Sequence, residues 1–256
     1  MANPYFQCKQ FIVHQQHTSM KVCTDACLFG AWAAQKEEVI QSDIILDIGT
    51  GTGLLSLMLA QVTEKFKTNI TAVEIESEAA AEASSNFTLS PWKDRLHVIK
   101  DSIQNYTASF TGDKNTVHPL FDVIITNPPF YEGDLKSPDA NKNKASHSTE
   151  LPWSTLIENV ATLLKDTGSF MVLVPTLRAY TMQKLAAINN LHLVEEVLVY
   201  NDAKHLPFRA MLQFKKHIPS INNELAVIRN KIIIKDEENN YLPAFTNLLK
   251  DYYLYL

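Results

Sequence analysis

Asp47-Ile48-Gly49-Thr50-Gly51-Thr52-Gly53 follows the apolar run Ile44-Ile45-Leu46 and precedes the helical pattern Leu54-Leu55-Ser56-Leu57-Met58-Leu59-Ala60. A short buried strand therefore runs into a glycine turn and out into a helix. Without a Cβ, Gly49, Gly51 and Gly53 permit a tight turn and let a ligand approach the main chain near the helix N-terminus. The loop suits a nucleoside cofactor; the competing reading is a tight strand-to-helix turn and nothing more. A dinucleotide fingerprint needs glycine at its first, third and sixth positions, and counted from Gly49 the sixth is Leu54, a large side chain where the helix should press on the strand. This weakens the NAD reading.

Working downstream, Asn69-Ile70-Thr71-Ala72-Val73 is β-rich and ends at Glu74. An acidic side chain at the end of the second strand, about twenty residues beyond the loop, is placed to accept from both ribose hydroxyls of an adenosine. Glu78 to Ser90 reads as a helix with a stripe of alanines, closed by Pro91, and Leu96-His97-Val98-Ile99 as a third strand. Lys100-Asp101-Ser102 follows at the end that faces the cofactor cleft in a doubly wound sheet, where Asp101 can hold an adenine amino group. Phe121-Asp122-Val123-Ile124-Ile125-Thr126 is a buried strand that delivers Asn127-Pro128-Pro129-Phe130-Tyr131. Two consecutive prolines fix two φ angles and remove two amide donors, which leaves carbonyls at this corner free to point into the cleft. Asn127 adds a side-chain oxygen and Phe130 a flat apolar face.

Residues 132–151 have no periodicity and are too long for a plain connection. Their Lys136, Lys142, Lys144 and His147 make either a lid for a phosphate-bearing substrate or a solvated charge cluster. Trp153 to Leu164 reads as an amphipathic helix, Gly168 to Pro175 as a turn and fifth strand, Leu177 to Asn190 as a helix and Leu191 to Tyr200 as a sixth strand. Asn201 to Arg209, with Lys204, His205 and Arg209, forms a second basic loop before the strand Ala210 to Phe214. Ile232-Ile233-Ile234 and the aromatic Tyr241-to-Leu256 segment complete the chain as a strand and closing helix.

Upstream of the glycine loop, Phe11-Ile12-Val13 reads as a strand, residues 15–19 as a polar turn, and Thr24 or Asp25 as the cap of a helix from Ala26 through Ala33. His14, His17, Cys23 and Cys27 raise the question of a zinc site. Their spacing fits no finger pattern and Cys27 falls on a core-facing helix, so buried free thiols are favoured and no metal is expected.

At 256 residues and 46% hydrophobic the chain has ample material for a core. No run approaches the ~18 apolar residues of a membrane span and no leader pattern precedes the first strand, so a cytoplasmic protein without membrane contact is expected. The three cysteines cannot all pair. A net charge of −5 argues against a protein that coats nucleic acid, and any nucleic-acid substrate must be met by a local patch.

The pairing of Asp47-to-Gly53 with Asn127-Pro128-Pro129-Phe130 resembles the class I methyltransferases that modify exocyclic or amide nitrogens. More narrowly, Lys9-Gln10-Phe11, Met20-Lys21-Val22-Cys23-Thr24-Asp25, Leu28-Phe29-Gly30-Ala31-Trp32 and Phe245-Thr246-Asn247-Leu248-Leu249-Lys250-Asp251-Tyr252-Tyr253 resemble the bacterial tRNA(Val) adenine N6-methyltransferase family, nearly end to end. Cys23 stands where that family usually has glycine. The resemblance implies an α/β Rossmann-like class I methyltransferase fold, with about seven mostly parallel strands and helices on both faces. It also implies a single domain over 1–256, with an N-terminal hairpin and helix over 1–40 and a C-terminal strand and helix over 216–256. Its implied cofactor is S-adenosyl-L-methionine, bound by Lys21, Asp47, Gly49, Gly51, Gly53, Glu74, Asp101, Ser102 and Asn127. Asn127, Pro128, Pro129 and Phe130 are implied to be catalytic, and the substrate to be the adenosine immediately 3′ of the anticodon of a valine tRNA. No oligomeric state is implied. The same corner serves enzymes acting on DNA adenine, ribosomal-RNA guanine or protein glutamine, and an idle cofactor-binding module is a further alternative. The lack of a separate DNA-recognition domain lowers the DNA version.

Overall fold

The computed structural model describes residues 3–18, 20–112, 120–129, 151–216 and 226–256. The chain opens with a small antiparallel hairpin, β1 (Tyr5–Gln7) and β2 (Ile12–His14), followed by α1 (Thr24–Ala33) and the single turn α2 (Glu37–Ile40). Then come β3 (Ile44–Ile48), α3 (Leu54–Val62), β4 (Asn69–Glu74), α4 (Ser77–Leu89), β5 (Leu96–Lys100), α5 (Ile103–Gly112) and β6 (Phe121–Thr126). The remainder is α6 (Trp153–Leu163), β7 (Leu164–Pro175), α7 (Ala179–Ile188), β8 (His192–Tyr200), β9 (Arg209–Lys215), β10 (Ile228–Ile233) and α8 (Pro243–Leu249).

Among the described residues eight strands form one sheet in the order β10-β8-β9-β7-β6-β3-β4-β5. Only β9 runs against its neighbours, β7 and β8. This is the expected doubly wound architecture, with one strand more than the seven expected because β10 adds to β8 at the edge. Strands buried on both faces need apolar side chains at odd and even positions alike, which is why Ile44–Ile48 and Phe121–Thr126 read as near-continuous hydrophobic runs. Along β7, Met171 and Leu173 enter the core beneath α1, α3 and α8, while Phe170, Val172 and Val174 enter the core beneath α6 and α7. The chain enters the sheet at β3, winds outward to β5 and crosses back to β6. The switch in direction therefore falls between β3 and β6, where doubly wound sheets bind ligands.

Three local expectations are corrected. Neither Thr24 nor Asp25 caps α1: its N-cap is Cys23, without a side-chain cap, at φ −128 and ψ 157. That extended conformation is open to any residue, so cysteine stands there without strain. The Asp25 carboxylate instead accepts from Arg209 Nε at 2.7 Å, a contact across the fold that local capping logic does not see. Strand β7 begins at Leu164, directly after α6, and an irregularity between Phe121↔Leu164 and Val123↔Ser169 takes up the extra residues where a turn was expected. The closing helix is confined to Pro243–Leu249. Beyond it the chain turns back onto the N-terminal hairpin, with Lys9 N–H donating to Tyr252 O at 2.8 Å and Tyr253 bridging to Cys8.

Among the described residues no helix is long and apolar enough to cross a membrane, and no group of three or more His, Cys, Asp and Glu gathers to hold a metal. Cys8 and Cys27 are buried and unpaired, and burial pushes both thiols up to about 12.

Candidate active site

The glycine loop leaves β3 at the switch point. Gly49, Gly51 and Gly53 all have left-handed backbone, at φ 68, 57 and 83. A Cβ built on Gly49 or Gly51 would meet nothing within 4 Å, whereas one on Gly53 would lie 2.5 Å from the Phe87 ring of α4. The first two glycines therefore keep the main chain open, and the third lets α4 approach the start of α3. Leu54 packs into the core where a dinucleotide loop would need glycine.

Asp47, at the penultimate position of β3, is fully buried. Its Oδ2 accepts from the hydroxyls of Thr50 at 2.6 Å and Ser56 at 2.7 Å, which ties the strand to the loop and to α3. Burial outweighs these two donors and pushes the carboxyl up to about 6. Glu74 ends β4 and is 7% exposed. One of its oxygens accepts from Gly51 N–H at 2.8 Å and the other from Glu76 N–H at 2.9 Å. Each carboxylate oxygen has a second lone pair, so Glu74 can brace the loop and still receive a ligand hydroxyl.

Asp101 follows β5, and its amide donates to Glu74 O at 3.0 Å. Its Oδ1 accepts from Ser102 N–H at 2.7 Å and Asn105 Nδ2 at 2.9 Å, while Ser102 Oγ accepts from Asn105 N–H at 3.1 Å and so caps α5. Lys21 sits apart from these strand ends: its ammonium donates to the carbonyls of Gln15, Gln16 and Thr18.

Thr126 pairs with Ile48 in the parallel ladder, and its hydroxyl donates to Ile48 O at 2.8 Å. That register sets the residue after β6 beside the residue after β3, so Asn127 neighbours Gly49. Asn127 is half-buried, Pro128 buried and Pro129 exposed. Phe130 and the basic residues Lys136, Lys142, Lys144 and His147 lie outside the described residues. Among the described residues Asn127 Oδ1 is buried without a hydrogen-bond partner, as is Asp47 Oδ1 on the neighbouring strand. A buried acceptor left alone costs about 1–3 kcal/mol, and the N–H groups of a ligand are what such an oxygen accepts.

Two groups of polar residues escape the reading of the sequence. Thr50 and Ser56 serve Asp47, and hydroxyls shortly after the acidic residue were the available signal. Glu82 and Asn86 lie one helical turn apart among the alanines of α4, and they hold the N-terminal segment rather than facing solvent. In the second basic loop, Arg209 belongs to Asp25, while the exposed Lys204 faces Glu237 at 3.5 Å.

The family model of the methyltransferase small domain matches residues 34–200. Among solved structures, a predicted O-methyltransferase from Agrobacterium tumefaciens superposes with a TM-score of 0.66 at 15% identity, covering 89% of this chain and 96% of that one. A putative RNA methyltransferase from Pyrococcus horikoshii does so with a TM-score of 0.52 at 17% identity, covering 76% and 83%. At such identities these likenesses concern the fold alone. Much nearer in sequence are proteins named tRNA1(Val) (adenine(37)-N6)-methyltransferase. The one from Bacteroides thetaiotaomicron is 38% identical over 100% of both chains, and the one from Escherichia coli O157:H7 is 34% identical over 98% of this chain and 95% of that one. With the glycine loop and the Asn-Pro-Pro corner meeting at the switch point of a methyltransferase fold, and with relatives matched from end to end, the chain belongs to the tRNA1(Val) (adenine(37)-N6)-methyltransferase family.

Proposed function

We propose that this protein methylates N6 of an adenosine in tRNA, the position-37 adenosine of the valine tRNA in its relatives' name, using S-adenosylmethionine. The observation that carries the reading is Asn127 Oδ1, a buried acceptor beside the glycine loop that has no partner among the described residues. When bound, the cofactor supplies an electrophilic methyl group. Gly49 and Gly51 leave the main chain open to it, Gly53 sets the start of α3, and Glu74 offers a carboxylate to its ribose. Asp101 and Ser102 serve its adenine, Asp47 lies beneath the loop, and Lys21 acts through the turn it organises. A single domain with packed terminal extensions, working in the cytoplasm, belongs to the same proposal.

Adenine's amino group is a weak nucleophile because its lone pair is shared with the ring. Asn127 Oδ1 and the Pro128 carbonyl accept its two hydrogens, which draws the nitrogen toward tetrahedral geometry and localises the lone pair. Pro128 and Pro129 bring no N–H donors of their own to the corner. Positive charge grows on the nitrogen during transfer, so both bonds strengthen in the transition state. Phe130 stacks on the base, worth ~1–3 kcal/mol. The base must leave its stack to reach the corner, and it does so at least cost in a single-stranded loop. No side chain forms a covalent bond.

Incubation with tritiated S-adenosylmethionine and separate pools of tRNA, ribosomal RNA, DNA and protein should label tRNA alone, at N6 of adenosine. Label in another pool with none in tRNA would overturn the substrate. Asn127→Ala should stay folded and bind cofactor, with kcat lower by on the order of 3 kcal/mol, or about a hundredfold, by analogy with the loss of one aimed oxyanion-hole donor. A near wild-type kcat would defeat the mechanism.

A further inference from the structure

The polar turn that links β2 to α1 has no ladder to satisfy its backbone. Side chains do so instead. Glu82 of α4, 7% exposed, accepts the amides of Gln16 at 2.5 Å, His17 at 3.2 Å and Thr18 at 3.0 Å. Lys21 gathers three carbonyls of the same turn. One helical turn on from Glu82, Asn86 accepts from His14 N–H at 2.9 Å through Oδ1, while its Nδ2 donates to both His14 O and Thr52 O at 2.9 Å. One amide nitrogen thus touches the N-terminal segment and the glycine loop together, so these two pieces of chain are neighbours. Phe87, the next residue, packs where Gly53 lacks a side chain. A single face of α4 therefore sets the position of both.

We propose that Glu82 is a positioning residue for the cofactor, holding residues 15–18 against the glycine loop so that the turn forms one wall of the S-adenosylmethionine cleft. The proposal rests on the cofactor reading given above. An apolar side chain at this position would leave three amides without their acceptor, so the carboxylate serves stability as well as position, and the test must separate the two. What the carboxylate provides is a defined place for three amides of irregular chain. The turn also holds a group with no partner among the described residues: Thr18 is only 5% exposed and its Oγ1 makes no hydrogen bond there. A hydroxyl buried in this way, in the turn that follows the His14 contact with the glycine loop, suits the polar amino-acid end of the cofactor, the portion left over once ribose and adenine are assigned to Glu74 and Asp101.

Glu82→Gln keeps the shape of the side chain but turns an N–H₂ toward the amides that the carboxylate receives. Calorimetry and steady-state kinetics on the full chain should show Kd and KM for S-adenosylmethionine raised by about tenfold or more, since charge-assisted bonds are lost. KM for tRNA and kcat at saturating cofactor should stay within about twofold, a split that general loosening of the fold would not produce. A folded Glu82→Gln protein with wild-type cofactor affinity overturns the proposal. Should that variant not fold, hydrogen exchange on the wild type decides: saturation with S-adenosylmethionine should slow exchange at Gln16 to Thr18 as well as in the glycine loop, and protection of the loop alone overturns the proposal. A wild type that binds no S-adenosylmethionine overturns the cofactor reading itself, and this inference with it.

Discussion

Gly51 and Gly53 share a left-handed backbone, yet substitutions at the two should differ in kind. Alanine at Gly51 meets only the backbone penalty, about 1–2 kcal/mol, because the space around it is open. Alanine at Gly53 adds a contact of 2.5 Å with the Phe87 ring, so urea denaturation should show a larger loss there, partly recovered by Phe87→Leu. Equal losses would mean that the packing against α4 is not what Gly53 serves. Asp47 makes a second prediction. Its carboxyl is raised to about 6, above its unfolded value, so the folded chain holds the proton more tightly than the unfolded one. Its contribution to stability is complete below about pH 4, where both states are protonated, and is lost as pH rises through 6. Asp47→Asn does not titrate. Relative to that variant, the wild type should lose on the order of 3 kcal/mol between pH 4 and 7, and parallel stability profiles would refute the assignment.

Between elements, the informative contact is Arg209 of β9 with Asp25 of α1, whose side chains are 24% and 11% exposed. The sequence places Arg209 in a basic loop ready for RNA; the fold uses it to join α1 to the sheet. Breaking a largely buried pair costs about 3 kcal/mol or more, so Arg209→Glu should lower Tm by several degrees. Lys204 has two-thirds of its side chain exposed, and its pair with Glu237 contributes little. Lys204→Glu should leave Tm unchanged and raise KM for tRNA. An Arg209→Glu protein with unchanged Tm and weakened tRNA binding would return Arg209 to the substrate surface.

For the molecule as a whole, a net charge of −5 means that tRNA must be held by local contacts. Affinity should still fall with salt, with a logarithmic slope of about −0.7 per phosphate contact on single strands, and binding indifferent to salt would count against an RNA substrate. The strand runs, the glycine loop and the Asn-Pro-Pro corner were legible in the sequence because each depends on near neighbours: burial on both faces makes apolar runs, positive φ selects glycine, and proline removes its own donor. Glu74 and Asp101 were legible through topology, as acidic residues that end consecutive parallel strands. Other assignments needed partners far along the chain. Asp25 reads locally as a helix cap, whereas the fold pairs it with Arg209, and the alanine-striped helix gives no sign that its Glu82 and Asn86 receive the segment at 14–18. The tail read as a helix to its end, whereas Tyr252 and Tyr253 leave the helix to pack on Met58, Phe6 and Cys8. Local sequence determined which elements form and what chemistry stands at their ends, because those depend on backbone propensity and periodicity. Only the tertiary structure decided which polar side chains are spent on holding the fold and which, like the Asn127 oxygen, have no partner among the described residues, because a hydrogen bond is allocated by distance in space and not along the chain.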